Sequence, residues 1–354
     1  MSDAEIIPIS SASRPSSTKG MPRPEPKVRC RATTSSGRPC RNYAVTATGY
    51  CRTHAGEERK SSSRPAPTKR QPHNSIDTSD EPLGLEGFFR HRLAGDYDID
   101  DFGYDRELSR EILLPLAGLL YHRYFRVRLL GVDRVPDVGS ALIVANHSGS
   151  VPLDAVMMQY GLATEHPNKR IVRCVAANLA FRTPFIGPLA RKSGNAVATE
   201  EDTFELLNRG ELVGVFPEGY KGVGKGWRER YRLQRFGRGG FMQTALRARV
   251  PIIPVAIVGA EEAYPMIANA KWLARALGYP YFPITPTFPL FGPLGALPLP
   301  SKWIIEFGEP IDLSSYPDDA ADDAMLVFDL ADRVRDRIQQ MLFENLNKRG
   351  SAFF

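Results

Sequence analysis

Ala141-Leu142-Ile143-Val144-Ala145-Asn146-His147, continued by Ser148-Gly149-Ser150-Val151-Pro152-Leu153-Asp154, is the stretch on which the fold turns. Its first five residues are an unbroken apolar run of strand length, suited to a buried strand that delivers Asn146 and His147 to its end. Pro152 and the apolar residues after it mark a helix start, because the fixed φ and missing N–H of proline are tolerated in a first helical turn. His147 therefore stands at a strand-to-helix junction, rigidly held yet open to a ligand. A second run, Leu212-Val213-Gly214-Val215, leads in the same way into Phe216-Pro217-Glu218-Gly219. That puts Pro217, Glu218 and Gly219 at another strand end, where open α/β sheets bind their ligands. A third run, Val250-Pro251-Ile252-Ile253-Pro254-Val255-Ala256-Ile257, reads as a strand punctuated by prolines.

His147 and Asp154 have the chemistry of a proton-transfer pair. A hydroxyl is a poor nucleophile while its proton stays on, and a neutral imidazole within hydrogen-bond reach takes that proton as the oxygen attacks a carbonyl. The ring works best when a carboxylate holds its other nitrogen and stabilises the charged form. Asp154 is the first carboxylate after His147, and none follows it before Glu165. A lone His and Asp at this spacing would ordinarily be a structural histidine beside a helix-capping aspartate; the second motif weighs against that.

In order and spacing, the three blocks resemble those of the glycerolipid acyltransferase family, over about residues 106–313 and including Phe307-Gly308-Glu309-Pro310-Ile311. The resemblance implies an α/β fold, a glycerolipid acyltransferase-like central mixed sheet flanked by helices. It also implies transfer of a fatty acyl group from acyl-CoA or acyl carrier protein to a lipid hydroxyl, such as that of a lysophospholipid, with no cofactor needed for catalysis. His147 would then be the general base and Asp154 its orienter. Asn146, Pro217, Glu218, Gly219 and Lys221 would bind substrate.

The chain departs from the family pattern at three places. Six residues rather than four separate His147 from Asp154. Where an arginine is common after a glycine in the intermediate block, the chain reads Gly194-Asn195-Ala196-Val197-Ala198-Thr199-Glu200. Tyr220-Lys221 replaces the Thr-Arg that often follows Pro-Glu-Gly, keeping a charge but losing the planar fork that grips phosphate in two places. The acceptor is thus less defined than the reaction. Lys225, Arg228, Arg230 and Arg232 form a basic cluster able to hold phosphates of acceptor or coenzyme A, or to be a solvated face.

Charge divides the chain of 354 residues in two. Residues 1–75 hold 14 Lys and Arg against 5 Asp and Glu, while the rest holds 32 against 35. A disordered basic arm is expected over 1–28, a zinc knuckle over 29–55, a Pro- and Ser-rich linker over 56–82, and the acyltransferase domain over 83–354. The knuckle rests on Cys30, Cys40, Cys51 and His54, separated by nine, ten and two residues. Three thiolates and an imidazole complete a tetrahedral structural zinc site, and the pattern resembles the WRC knuckle of plant regulators. Unpaired or redox-active cysteines are the alternative. The basic knuckle could touch nucleic-acid phosphates, anionic lipid headgroups or a protein; only Tyr43 and Tyr50 could stack on bases, which argues against sequence-specific nucleic-acid reading and favours a membrane surface or a protein as partner. Cys174 lies in an apolar run and is expected in the core.

No secretory signal pattern is visible, so a cytoplasmic enzyme peripherally associated with membrane is expected. Ile112–Tyr121 is too short to span a bilayer and reads either as an amphipathic element lying on one or as a helix packed on the sheet. Residues 276–301 carry no charge and seven prolines, a loop suited to lining an acyl tunnel or dipping into lipid. An amphipathic helix is expected over 318–349, with Leu326, Leu330, Val334, Ile338, Met341, Leu342 and Leu346 on one stripe. Two rivals to acyl transfer stand: a hydrolase or transacylase on the same fold, and a non-enzymatic lipid-binding scaffold whose knuckle binds nucleic acid or protein.

Overall fold

The computed structural model describes residues 83–353 except 150, 184, 185 and 238. The arm, the Cys30, Cys40, Cys51, His54 knuckle and the linker lie outside the described residues.

Among the described residues nine strands form: β1 (Arg128–Leu130), β2 (Ala141–Ala145), β3 (Val172–Ala176), β4 (Ala196–Val197), β5 (Leu212–Val215), β6 (Ile252–Val258), β7 (Ala268–Asn269), β8 (Pro283–Ile284) and β9 (Ile304–Phe307). Seven make one sheet in the order β1-β9-β6-β2-β5-β3-β4, and β7 and β8 pair separately. Every pairing in the large sheet is parallel except β6 with β9, so the sheet is mixed. Pro254 is tolerated inside β6 because the ladder with β9 begins one residue later, at Val255 opposite Phe307.

The flanking helices that matter here are α1 (Leu153–Glu165), α2 (Glu200–Asn208), α3 (Gly240–Ala248) and α4 (Ala324–Arg349). Period-two alternation along β2 feeds two cores. Leu142 and Val144 join Leu206, Met242, Val334 and Ile338, the apolar faces of α2, α3 and α4. Ala141, Ile143 and Ala145 face the other way, toward Met157, Met158 and Leu162 of α1 and toward Tyr121 and Phe125. Tyr121 and Phe125 are wholly buried while Leu116 and Leu119 are exposed, so the element around Ile112–Tyr121 packs on the domain by one face only. Cys174 is in the core, and burial pushes its thiol well up.

The terminal helix starts at Ala324 rather than at 318. Asp323 caps it, accepting the N–H groups of Met325 and Leu326 at 2.9 and 3.1 Å, and a short 3-10 turn at Ala320–Asp322 occupies the residues before. The proline-rich segment is preceded by an unanticipated short helix, Lys271–Leu277. Among the described residues no helix is long and apolar enough to cross a membrane.

Candidate active site

Register brings the first two motifs together. β2 and β5 are adjacent and parallel, with Ala141 opposite Leu212 and Val144 opposite Val215, so Asn146 and His147 leave the sheet beside Pro217 and Glu218. The pairing is closed by a bond: the backbone N–H of His147 donates to Oε1 of Glu218 at 2.9 Å. β6 flanks β2 on the other side, and there the side chain of Asn146 extends the ladder. Its Nδ2 donates to the carbonyl of Ile257 at 3.0 Å, and its Oδ1 accepts the N–H of Ile257 at 2.7 Å.

His147 points across the junction to the first turn of α1. Its Nδ1 lies 2.7 Å from Oδ2 of Asp154. Asp154 is completely buried and further accepts the N–H of Ser148 at 2.9 Å and, through Oδ1, its neighbour Ala155's N–H at 2.9 Å. A buried carboxylate that accepts backbone donors is held as an acceptor, so Nδ1 carries the ring proton and Nε2 presents a lone pair. Among the described residues nothing hydrogen-bonds Nε2. The imidazole keeps 15% of its side-chain surface and rests on Phe216, ring centroids 4.6 Å apart. The two extra residues between His147 and Asp154 are absorbed by the turn through Gly149, whose φ of 78° suits glycine. Gly222 is needed for contact: a Cβ there would lie 2.8 Å from the carbonyl oxygen of His147.

The other sequence candidates divide by exposure. Gly219 and Lys221 are exposed and Pro217 half-buried, so these three face outward. Asn146 and Glu218 do not. Asn146 is fully buried with its amide committed to Ile257, and both Glu218 oxygens are engaged, Oε2 by the N–H of Gln234 at 2.6 Å. They hold the site from beneath, where direct substrate contact was expected.

Lys225 also departs from the expected phosphate contact. Its ammonium, with 2% of the side chain exposed, sits 3.4 Å from Glu218 Oε2 and 3.0 Å from Glu261 Oε1. Burial alone would push it down, but the two carboxylates more than reverse this and hold it above its ordinary value. Glu261 is held above the usual carboxylate range by burial, which Lys225 only partly offsets. Sequence gave no sign of this buried triad, since Glu261 follows a strand and lacks a motif. Tyr281, from the uncharged segment 276–301, sets its ring beside Gly224, and burial and then the charge of Asp154 push its phenol up to about 12.

Glu200 lies after edge strand β4, where it opens α2 and pairs with Arg247. At about 4.8 Å per strand, β4 stands roughly 14 Å from β2 across the sheet.

The site is thus a His–Asp pair at the carboxyl ends of two central parallel strands. A family model described as Acyltransferase matches residues 126–258, which run from β1 to the end of β6 and contain the whole pair. The chain is 51% identical over 270 residues to an uncharacterised protein of Mycobacterium tuberculosis, covering 76% of this chain and 75% of that one. It is 26% identical over 216 residues to the "DGAT1/2-independent enzyme synthesizing storage lipids" of Bos taurus, covering 60% and 58%. The crystal structure of the 1-acyl-sn-glycerophosphate acyltransferase of Thermotoga maritima is similar with a TM-score of 0.44 at 20% identity, covering 70% of this chain and 85% of that one. Residues 126–258 are thus an acyltransferase domain by their family model, and the chain is a relative of the mycobacterial protein over three quarters of its length.

Proposed function

We propose that the protein moves a fatty acyl group from a thioester donor, acyl-CoA or acyl carrier protein, onto a lipid hydroxyl. The observation that carries this is the 2.7 Å contact from His147 Nδ1 to Asp154, which leaves Nε2 bare at the mouth between β2 and β5. Nε2 removes the hydroxyl proton as the acceptor oxygen attacks the thioester carbonyl carbon. Asp154 fixes the tautomer and stabilises the imidazolium that forms. The C–S bond then breaks, and the departing thiolate receives the proton from Nε2. Gly219, Lys221 and Pro217 contact the acceptor, while Asn146 and Glu218 position the loop that bears the base.

The acceptor we favour is a lipid hydroxyl with a neutral or larger headgroup. Glu200, paired with Arg247 at the sheet edge, supplies no cation where a phosphate-gripping arginine is common. The Bos taurus relative, an enzyme named for synthesizing storage lipids, agrees with such an acceptor. Peripheral attachment to a membrane on its cytoplasmic side is part of the same proposal. Trp272, Leu290, Phe291, Leu294 and Leu297 are exposed in or beside the uncharged segment, an apolar surface suited to lipid. The arm's knuckle, with zinc on Cys30, Cys40, Cys51 and His54, would recruit the enzyme to anionic lipid or to a protein.

Incubating the purified protein with acyl-CoA and a panel of lysolipids, mono- and diacylglycerols, then reading products by mass spectrometry, tests the reading. Acylated acceptor is the expected product. Free fatty acid with no acylated acceptor would identify a hydrolase instead.

A further inference from the structure

A cavity of about 320 Å³ is lined by Arg228, Arg230, Arg232 and Arg349 with Glu262 as its one carboxylate. Tyr231, Phe343 and Leu346 give it apolar walls. Arg228, Arg230 and Arg232 are exposed, and Glu262 is consumed within the protein. It pairs with Arg349 at 2.7 Å and accepts the hydroxyl of Tyr231. The guanidinium of Arg349 has only 7% of its side chain exposed, and its Nε is buried with no hydrogen-bond partner. A buried N–H without a partner is costly unless something accepts it.

The segment that carries the three exposed arginines is built to hold its shape. Tyr231 has φ of 60°, a left-handed backbone that a bulky side chain adopts only when its surroundings impose it. Gln339 of α4 imposes it by donating to the carbonyl of Tyr231 at 2.8 Å and accepting the N–H of Leu233 at 2.9 Å. Glu261 accepts the N–H of Tyr231 at 3.0 Å. Arg230 is fixed by Trp227, with its guanidinium 4.3 Å from the ring centroid and donating to the Trp227 carbonyl. Trp227 in turn lines a second, smaller cavity with Gly149, Gly222 and Lys225, against the loop of His147. Arginines on an incidental solvated face would not need a strained, clamped backbone.

We propose that this cavity binds the phosphate-bearing end of a ligand, a phosphoester joined to a flat or apolar group that rests on Phe343 and Leu346. Arginine forks match phosphate oxygens in pairs, and the apolar wall takes the attached group. The chemistry is shared by the nucleotide end of a coenzyme A thioester and by a phospholipid headgroup. The choice of these probes rests on the acyl-transfer reading; the site itself does not.

Calorimetric titration of the full-length protein tests it with three probes: adenosine 3′,5′-bisphosphate, glycerol 3-phosphate, and phosphatidate vesicles against phosphatidylcholine vesicles. At least one should bind saturably and more weakly as salt rises. Arg228→Ala and Arg232→Ala, at exposed side chains that bond nothing among the described residues, should each weaken binding about tenfold or more. Arg90→Ala, an equal charge change on the helix Gly84–Ala94, should leave it unchanged. Arg349→Lys, which keeps the charge opposite Glu262 but loses the fork, should weaken it as well. Binding of the nucleotide assigns the donor, and binding of phosphatidate alone assigns the headgroup; either supports the site. If no probe binds, or if binding ignores Arg228 and Arg232, the site is wrong. Because binding is read in His147→Ala as well as in wild type, loss of the acyl-transfer reading would leave this result standing. Acyl transfer with phosphate binding indifferent to the arginines would remove the site alone.

Discussion

Glu218 receives the backbone N–H of His147 at 2.9 Å across 71 residues of sequence, so the two motifs are one structural unit. The carboxylate's other oxygen takes the N–H of Gln234 and faces Lys225. Glu218 thus ties the loop that bears His147 to the basic segment behind it. Glu218→Gln keeps an acceptor for His147 but weakens the contact with Lys225. Turnover should fall about tenfold with KM little changed, the signature of a displaced base rather than a lost substrate contact. A rise in KM at unchanged kcat would return Glu218 to the substrate pocket.

Asn146 acts as a strand residue made from a side chain. Asn146→Ala leaves both the N–H and the carbonyl of Ile257 without their partner, at a cost of ~2 kcal/mol or more. Urea unfolding should register that loss, and an unshifted midpoint would deny the amide its role in joining β2 to β6.

Lys225 makes a pH prediction. A carboxyl whose folded pKa is raised, as at Glu261, binds protons more tightly when folded, so stability falls as pH rises from 4.5 through the raised value. The contribution of Lys225, whose folded pKa is also raised, is fully present below 10.5 and is lost only above it. Lys225→Met removes the group that restrains Glu261, which pushes that carboxyl higher and widens the acid-to-neutral window. Urea midpoints of the variant should drop more steeply between pH 5 and pH 8 than those of the wild type, with a neutral-pH loss of ~3–5 kcal/mol. Parallel profiles would mean that the buried triad is not electrostatically coupled.

Much of this arrangement was legible in the sequence and some was not. His147 and Pro-Glu-Gly stood at strand ends because apolar runs of four and five residues announce buried strands, and Asp154 stood at the helix start that Pro152 marks. What sequence could not give was direction. Asn146 and Glu218 neighbour the base in sequence or register, yet the pleat and the adjacent strands turn their side chains inward. Lys225 reads like its neighbours Arg228 and Arg232, and only burial against Glu261, a residue from beyond β6, separates it from them. The cap at Asp323 shortened the last helix because acids at 318 and 319 resemble a first turn as well as a cap does. Arg349 joins the arginine cavity only because α4 returns its end to residues 228–232.

Acceptor choice is open to a direct comparison. With Glu200 in place of a phosphate-gripping arginine, turnover of a neutral or larger-headgroup acceptor should equal or exceed that of lysophosphatidate. A strict requirement for lysophosphatidate would contradict this.

The arm and the enzyme should separate. Metal analysis of the full chain should find about one zinc, lost when Cys40 and Cys51 become Ser. A chain starting near Ile76 should keep its activity on micellar substrate. Loss of that activity on chelation would place the metal in the active site.

The most direct measurement is acyl transfer by folded His147→Ala and Asp154→Asn proteins, with folding verified by circular dichroism and thermal melting. Turnover should fall about 10²-fold or more for His147→Ala. It should fall also for Asp154→Asn, whose imidazole loses its orienting charge. Wild-type rates in a folded His147→Ala protein would contradict general-base catalysis at this site.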